Sequence, residues 1–246
     1  EKIEVIYQST NRKKININKK EKIIIFDVGG NKGEFVEFFL KLLKKNNIKN
    51  YKIFYFEPIT SLFNQVKEKN YKNTIEYNFA LGDKNETKLF YEIKDSNEKK
   101  ENNDGPFRGK SSFLKINKSN QSEKLKMSKN YKKIYTIDSF CKKNKIKKIH
   151  VLKIDTQAYN INVLKGAKKY LNNNMVDAIY TELTIGRRYE KNETFFALEE
   201  KLKKNYELFG IDVGTMQVQL VSRILNRNLN LDVLYLKKNI IDKILR

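Results

Sequence analysis

The sequence predicts an α/β protein with a mostly parallel sheet, helices on both faces and an antiparallel terminal hairpin. Three observations carry this. From residue 23 onward, short runs of β-branched and aromatic residues alternate with stretches of helical periodicity. That alternation belongs to parallel strands joined by crossover helices. Four of the runs close on an acid, namely Asp27, Glu57, Asp155 and Glu182, and acids gathered at one end of buried strands cost desolvation energy unless they are bonded or bind something. The length of 246 residues suits one such domain.

Residues 1–22 are polar, with Ile15 and Ile17 alternating as in a short extended piece, and read as a lead-in. Ile23 to Val28 is the first strand; a glycine-rich turn follows, and Phe35, Phe38, Phe39, Leu42 and Leu43 mark a helix over about Glu34 to Lys45. Tyr51 to Phe56 is the second strand, stopped by Glu57 and Pro58, since proline cannot continue a central ladder. A helix through Leu62, Phe63 and Val66 leads to a third strand and turn over Thr74 to Asp83, and Lys88 to Ile93 reads as a hairpin strand. Residues 94–130 form a charged, Asn/Ser-rich insert broken by Gly105-Pro106 and Gly109, the kind of long stretch that is either functional or disordered. Extended structure resumes at Tyr131, followed by a helix at Ile137 to Lys145 and the fourth strand at Ile149 to Asp155. One helix is expected through Ile161, Val163, Leu164, Ala167 and Leu171, then the fifth strand at Val176 to Glu182. A helix through Phe195, Phe196, Leu198 and Leu202 precedes the final pair, Tyr206 to Val213 with Leu231 to Leu236.

The net charge of +22 would ordinarily point to nucleic acid or an anionic surface. Here Lys supplies nearly all of it, spread evenly beside many Asn and Ile, and Arg, whose fork suits phosphates and base edges, is scarce. Specific nucleic-acid recognition is therefore not expected. No window holds the roughly 18 apolar residues of a membrane span, and no apolar stretch of signal-peptide type is present, so a cytoplasmic protein is expected. Cys141 is alone and reads as a buried apolar residue on a short helix.

The turn after the first strand is spaced Asp-x-Gly-x-x-x-Gly, with Val28 where a dinucleotide-binding turn requires glycine. An acid leading the turn repels phosphate and attracts an amine. Glu57, 28 residues after Gly29, approximates the strand-two acid that accepts hydrogen bonds from a ribose. A ligand with an ammonium group, a carboxylate and a ribose matches S-adenosylmethionine better than NAD, and a dehydrogenase is disfavoured.

Five blocks, Asp27 to Gly33, Phe56-Glu57-Pro58, Ala80-Leu81-Gly82, Ser111-Ser112-Phe113, and Lys153 to Gln157 running on through Val163 to Ala167, resemble the FkbM family of class I S-adenosylmethionine-dependent methyltransferases. They occur in family order over about residues 23–182. The resemblance implies a Rossmann-like class I methyltransferase fold with a seven-stranded sheet, in a single domain over 23–246 with an insert at about 94–130. It also implies S-adenosylmethionine as cofactor and O-methylation of a sugar, glycan or related small-molecule hydroxyl. By position, Asp27, Gly29 and Gly33, with Gly30 and Asn31 in the same turn, cradle the methionine part. Glu57 takes the ribose, Asn78, Ala80 and Leu81 neighbour the adenine, and Asp155 faces the sulfonium. Gly30 stands where the family usually has Ala, a change expected to be harmless. Ala158 and Asn160 stand where it usually has Gly and Glu.

A hydroxyl acceptor needs a base or a metal, and Asp155, Glu182 and, behind them, Asp27 are the candidates at the correct end of the sheet; such acids alternatively cap helices or pair with Lys153 or Arg187. His150 lies five residues before Asp155, roughly 16 Å along an extended strand, and is set aside. No metal-ligand constellation is visible. For the acceptor, Arg108, Ser111 and Ser112 sit in a stretch that is either a lid or an ordinary turn, and Arg187 follows the fifth strand as an anion contact or a solvated base. An RNA methyltransferase, suggested by charge, and a catalytically silent cofactor-binding or scaffold protein, suggested by Ala158 and Asn160, are the alternatives.

Overall fold

The computed structural model describes residues 21–95, 110–117, 125–185, 189–190, 194–212 and 229–245. Strand β1 (Ile23–Val28) alternates its side chains between two faces and runs through the glycine turn into α1 (Glu34–Lys45), whose ends carry Glu34 and Glu37 at the start and Lys44 and Lys45 at the finish, matching the helix dipole. β2 (Tyr51–Phe56), α2 (Thr60–Glu68) and β3 (Thr74–Tyr77) follow, then β4 (Ala80–Leu81), β5 (Glu86–Asp95) and β6 (Leu125–Tyr135). Helix α3 (Ile137–Lys143) is capped by Thr136, whose hydroxyl accepts from the Ser139 N–H at 3.0 Å. β7 (Ile149–Ile154), α4 (Asn160–Lys165), α5 (Lys168–Asn172), β8 (Val176–Ile185), α6 (Phe195–Leu202), β9 (Tyr206–Asp212), β10 (Leu229–Lys237) and α7 (Lys238–Leu245) complete the chain.

Seven strands form one sheet in the order β3-β2-β1-β7-β8-β10-β9, in which only β10 runs against its neighbours. This is the Rossmann-like class I methyltransferase arrangement. On one face Ile23, Ile25, Ile53 and Tyr55 pack against Val36, Phe39 and Leu43 of α1 and Val66 of α2. On the other, Phe26, Val28, Phe54, Phe56, Leu152 and Ile154 pack against residues of α3, α4 and α6. Phe140 of α3 is the aromatic centre of that face, edge-on to Phe26, Phe56 and Tyr77 at 5.7, 5.0 and 5.0 Å. Among the described residues, no helix is long and apolar enough to cross a membrane.

The structure redraws four elements. The expected third strand is two strands in different sheets: the Asn78 side chain donates to the Glu57 carbonyl at 2.9 Å and turns the chain, so that β4 joins β6 and β5 in a separate three-stranded sheet. β6 begins at Leu125, inside the expected insert, because it pairs with β5 over ten residues. The single helix expected through Ile161 and Leu171 breaks at Gly166, where a Cβ would lie 1.9 Å from the Gly82 carbonyl oxygen. β8 continues past Glu182 to Ile185, held by β10, so Glu182 is within a strand and not at its end.

Candidate active site

A cavity opens at the carboxyl ends of β1, β2 and β7, where an open α/β sheet binds its ligand. Val28, Gly29 and Asn31 form one side, and Phe56, Glu57, Pro58, Ile59 and Leu62 the next. Ala80, Leu81, Phe90, Ser111 and Phe113 make a mainly apolar wall, and Asp155, Thr156 and Gln157 close the circuit.

The turn is built by close approach. Gly29 has φ +71°, and a Cβ there would stand 1.9 Å from the Asp155 carbonyl oxygen, so the crossing of the turn over the end of β7 admits only glycine. Gly30 is constrained by space: its Cβ would stand 2.1 Å from the Tyr55 ring. Restoring the family's usual alanine is therefore not harmless, because Tyr55 occupies the room. The same Tyr55 donates its hydroxyl to the Asn31 carbonyl at 2.5 Å, and Asn31 donates its N–H to Glu57 Oε2 at 2.9 Å. The Asn31 residue is thus held from both sides.

Glu57 is buried at the cavity wall, with Oε1 accepting from the Ile59 N–H at 2.8 Å. Burial pushes its carboxyl up to about 7, against the pull of those two backbone donors and of Lys153. Each oxygen keeps a lone pair for a further donor.

Asp27 does not line the cavity. It is fully buried, and its ammonium partner comes from the chain itself: Lys153 Nζ lies 3.0 Å from Asp27 Oδ1, donates to the Gly29 carbonyl at 2.9 Å and sits 4.8 Å from the centre of the Phe35 ring. Burial raises the Asp27 carboxyl; for Lys153 burial works downward, but the carboxylates of Asp27, Asp155 and Glu57 hold the ammonium above its ordinary value. Asp27 and Lys153 therefore brace the turn from behind. Asp155, by contrast, faces the cavity, with its N–H bonded to the Val28 carbonyl at 2.9 Å.

Of the sequence-derived candidates, the structure brings Gly29, Asn31, Glu57, Ala80, Leu81, Asp155 and Ser111 to the cavity wall. Gly30, Gly33 and Asn78 support it from outside, Gly33 at φ +83° where α1 begins and Asn78 between the Glu57 carbonyl and the Thr60 hydroxyl. Glu182 is half-buried behind Gln157, to which it is bonded. Ser112 is buried, exchanging backbone bonds with Tyr91. Arg108 and Arg187 lie outside the described residues.

Asn160 is buried and structural: its Oδ1 accepts from the Thr156 N–H at 2.9 Å and hydroxyl at 2.6 Å, and its Nδ2 donates to the Glu182 carbonyl. His150 accepts from the Ile24 N–H through Nδ1 at 3.0 Å and faces Glu21, at the far end of β7. Burial pushes the Cys141 thiol up to about 12, which leaves it unreactive. Among the described residues, no group of three or more His, Cys, Asp or Glu is placed to hold a metal.

Sequence reasoning missed Ile59, Leu62 and Phe90 of the apolar wall, which read as ordinary core, and it gave no role to Gln157, although the fourth-strand block contains it. Its position two residues after Asp155 was the available signal.

The fold is similar to that of several solved structures. One is an FkbM methyltransferase from Methylobacillus flagellatus KT, at TM-score 0.51 and 12% identity over 94% of this chain and 47% of that one. Another, from Listeria monocytogenes and inferred to be an S-adenosylmethionine-dependent methyltransferase, gives TM-score 0.44 and 8% identity over 90% of this chain and 93% of that one. The chain spans about half the length of the first. No curated protein matches. The model of the FkbM methyltransferase domain matches residues 27–208, more than half of the sequence. The chain belongs to the FkbM methyltransferase family.

Proposed function

We propose that this protein is an S-adenosylmethionine-dependent methyltransferase acting on a hydroxyl of a sugar, glycan or related small-molecule precursor in the cytoplasm. The observation that carries the reading is Glu57: a buried carboxylate on the cavity wall, pinned by two backbone N–H groups, with lone pairs left for a pair of ribose hydroxyls. The surrounding residues fit the cofactor. Leu62, Leu81 and Phe113 offer apolar surface for an adenine, the Gly29 turn lets the backbone approach closely, and Asp155 supplies negative charge beside the cavity. With Asp27 committed to Lys153, Asp155 is also the carboxylate available to a ligand ammonium.

The bound cofactor would supply a methyl group on a sulfonium, open to in-line displacement by an oxygen. The protein's share is to position the acceptor and exclude water. Asp155, with Glu182 behind it, is the group placed to take the hydroxyl proton.

Calorimetry with S-adenosylmethionine, followed by an acceptor screen read by S-adenosylhomocysteine release, tests the proposal. Binding that is lost in Glu57→Ala, with release on a sugar-containing acceptor, supports it. Absence of binding by the folded wild type removes the cofactor assignment, and binding without release on any acceptor favours the silent cofactor-binding reading. The charge of +22 favours RNA as a second acceptor class; release on RNA that collapses between low and moderate salt would support that one.

A further inference from the structure

We propose that Gln157 is a positioning residue that gathers the carboxylates of Asp155 and Glu182 beside the cavity, so that a second negative charge stands behind the one that faces a cationic methyl donor. The inference rests on the cofactor reading above and adds a residue to it. Asp155 and Glu182 follow directly from the paired residues Ile154 and Thr181 of neighbouring parallel strands, so they emerge side by side on one face of the sheet. Like charges in adjacent register repel.

Gln157 Nε2 stands 3.0 Å from Asp155 Oδ1 and 3.1 Å from Glu182 Oε2. An amide nitrogen carries two hydrogens, one for each acid. Carboxylates only accept, so the nitrogen must be the atom that faces them. At the other end of the amide, its oxygen lies 3.1 Å from the Tyr189 hydroxyl, whose single hydrogen is shared with the Lys110 carbonyl at 3.0 Å. The Gln157 carbonyl accepts from the Ser112 hydroxyl at 2.7 Å. Tyr189 and Ser112, both buried, thus fix the side chain and the backbone of the same residue.

The backbone is strained to make this possible. Gln157 and Ala158 are successive non-glycine residues at φ +51° and +65°. Side chains in the left-handed region crowd the following carbonyl oxygen, and such strain persists where the surroundings over-determine it. Here the double turn folds Gln157 back over Asp155. Gln157 and Asp155 line the cavity and Glu182 does not, so the amide links the second charge to the site. Other groups near the pair are Lys153 on β7, Tyr180 on β8 and Asp232, which stands opposite Glu182 on β10.

The test compares S-adenosylmethionine with S-adenosylhomocysteine, which lacks the sulfonium charge, by calorimetry on the wild type, Gln157→Leu and Tyr189→Phe, with melting curves confirming the fold. Without the shared donor the Glu182 carboxylate is no longer held against Asp155 beside the cavity. In Gln157→Leu the preference for the charged ligand over the neutral one falls about tenfold, with affinity for the neutral ligand nearly unchanged. Tyr189→Phe moves in the same direction by less, and decides the matter if Gln157→Leu does not fold. An unchanged preference, or equal losses for both ligands, overturns the positioning role while leaving the cofactor reading in place. If the wild type binds neither ligand, the cofactor reading fails and this inference falls with it.

Discussion

At the scale of single residues, the site depends on where buried charge is compensated. The Glu57 carboxyl ordinarily titrates at 4.5 and in the fold at about 7. Between those values the folded chain holds a proton that the unfolded chain has released, so this group's contribution to stability declines as pH rises from about 4.5 to about 7 and is flat above that. Ribose hydroxyls donate to the ionised form, so binding releases the proton. S-adenosylmethionine affinity is therefore expected to rise through pH 7 and level off, by up to about tenfold per unit below it, and Glu57→Gln to flatten the profile; isothermal titration across pH 6 to 8 checks this. Ala158 offers a second measurement. Ala158→Gly removes a left-handed penalty of about 1–2 kcal/mol, offset by glycine's larger entropy loss of about 0.5–1 kcal/mol and by the loss of a buried methyl. With the methyl worth about 0.8 kcal/mol the terms nearly cancel, so the melting temperature is expected to move by less than about 2 °C, read by calorimetry or circular dichroism.

At the scale of elements, β1 and β7 are joined by more than their ladder. Lys153 reaches across from β7 to Asp27 and to the Gly29 carbonyl, so it couples the sheet to the turn. Lys153→Met leaves a buried carboxylate without its cation and is expected to cost about 3–5 kcal/mol, whereas Asp27→Asn combined with Lys153→Met costs much less; urea unfolding of the single and double variants decides. Helix α3 presents Phe140 to five rings, those of Phe26 on β1, Phe54 and Phe56 on β2, Tyr77 on β3 and Phe79 just after it. Phe140→Ala is expected to lose about 3–5 kcal/mol, seen as a lowered midpoint with the denaturant slope retained. These elements were also the most legible. Periodicity over Glu34 to Lys45 and the apolar runs of β1, β2 and β7 are local signals, whereas the first half of β6 is not: Lys126, Ser128, Lys129 and Asn130 make it look like loop, and only its ladder with β5 makes it a strand.

At the scale of the whole molecule, the sequence by itself determined the αβ alternation, the glycine turn, the acids that follow β2 and β7, and the family to which they belong. Those properties are written in short windows, through side-chain period, turn chemistry and the few residues that a close backbone crossing admits. The tertiary structure decided what each charge does. Asp27 reads as a ligand for an amine in the sequence, yet it meets Lys153, which is 126 positions away in the chain and in the neighbouring strand. Glu182 and Gln157 come within hydrogen-bonding distance because β7 and β8 lie side by side. Gly30 is required because Tyr55, from the next strand, fills the space above it. Burial, pairing and compensation depend on which strands become neighbours. That depends on long-range packing and is absent from any local stretch of sequence.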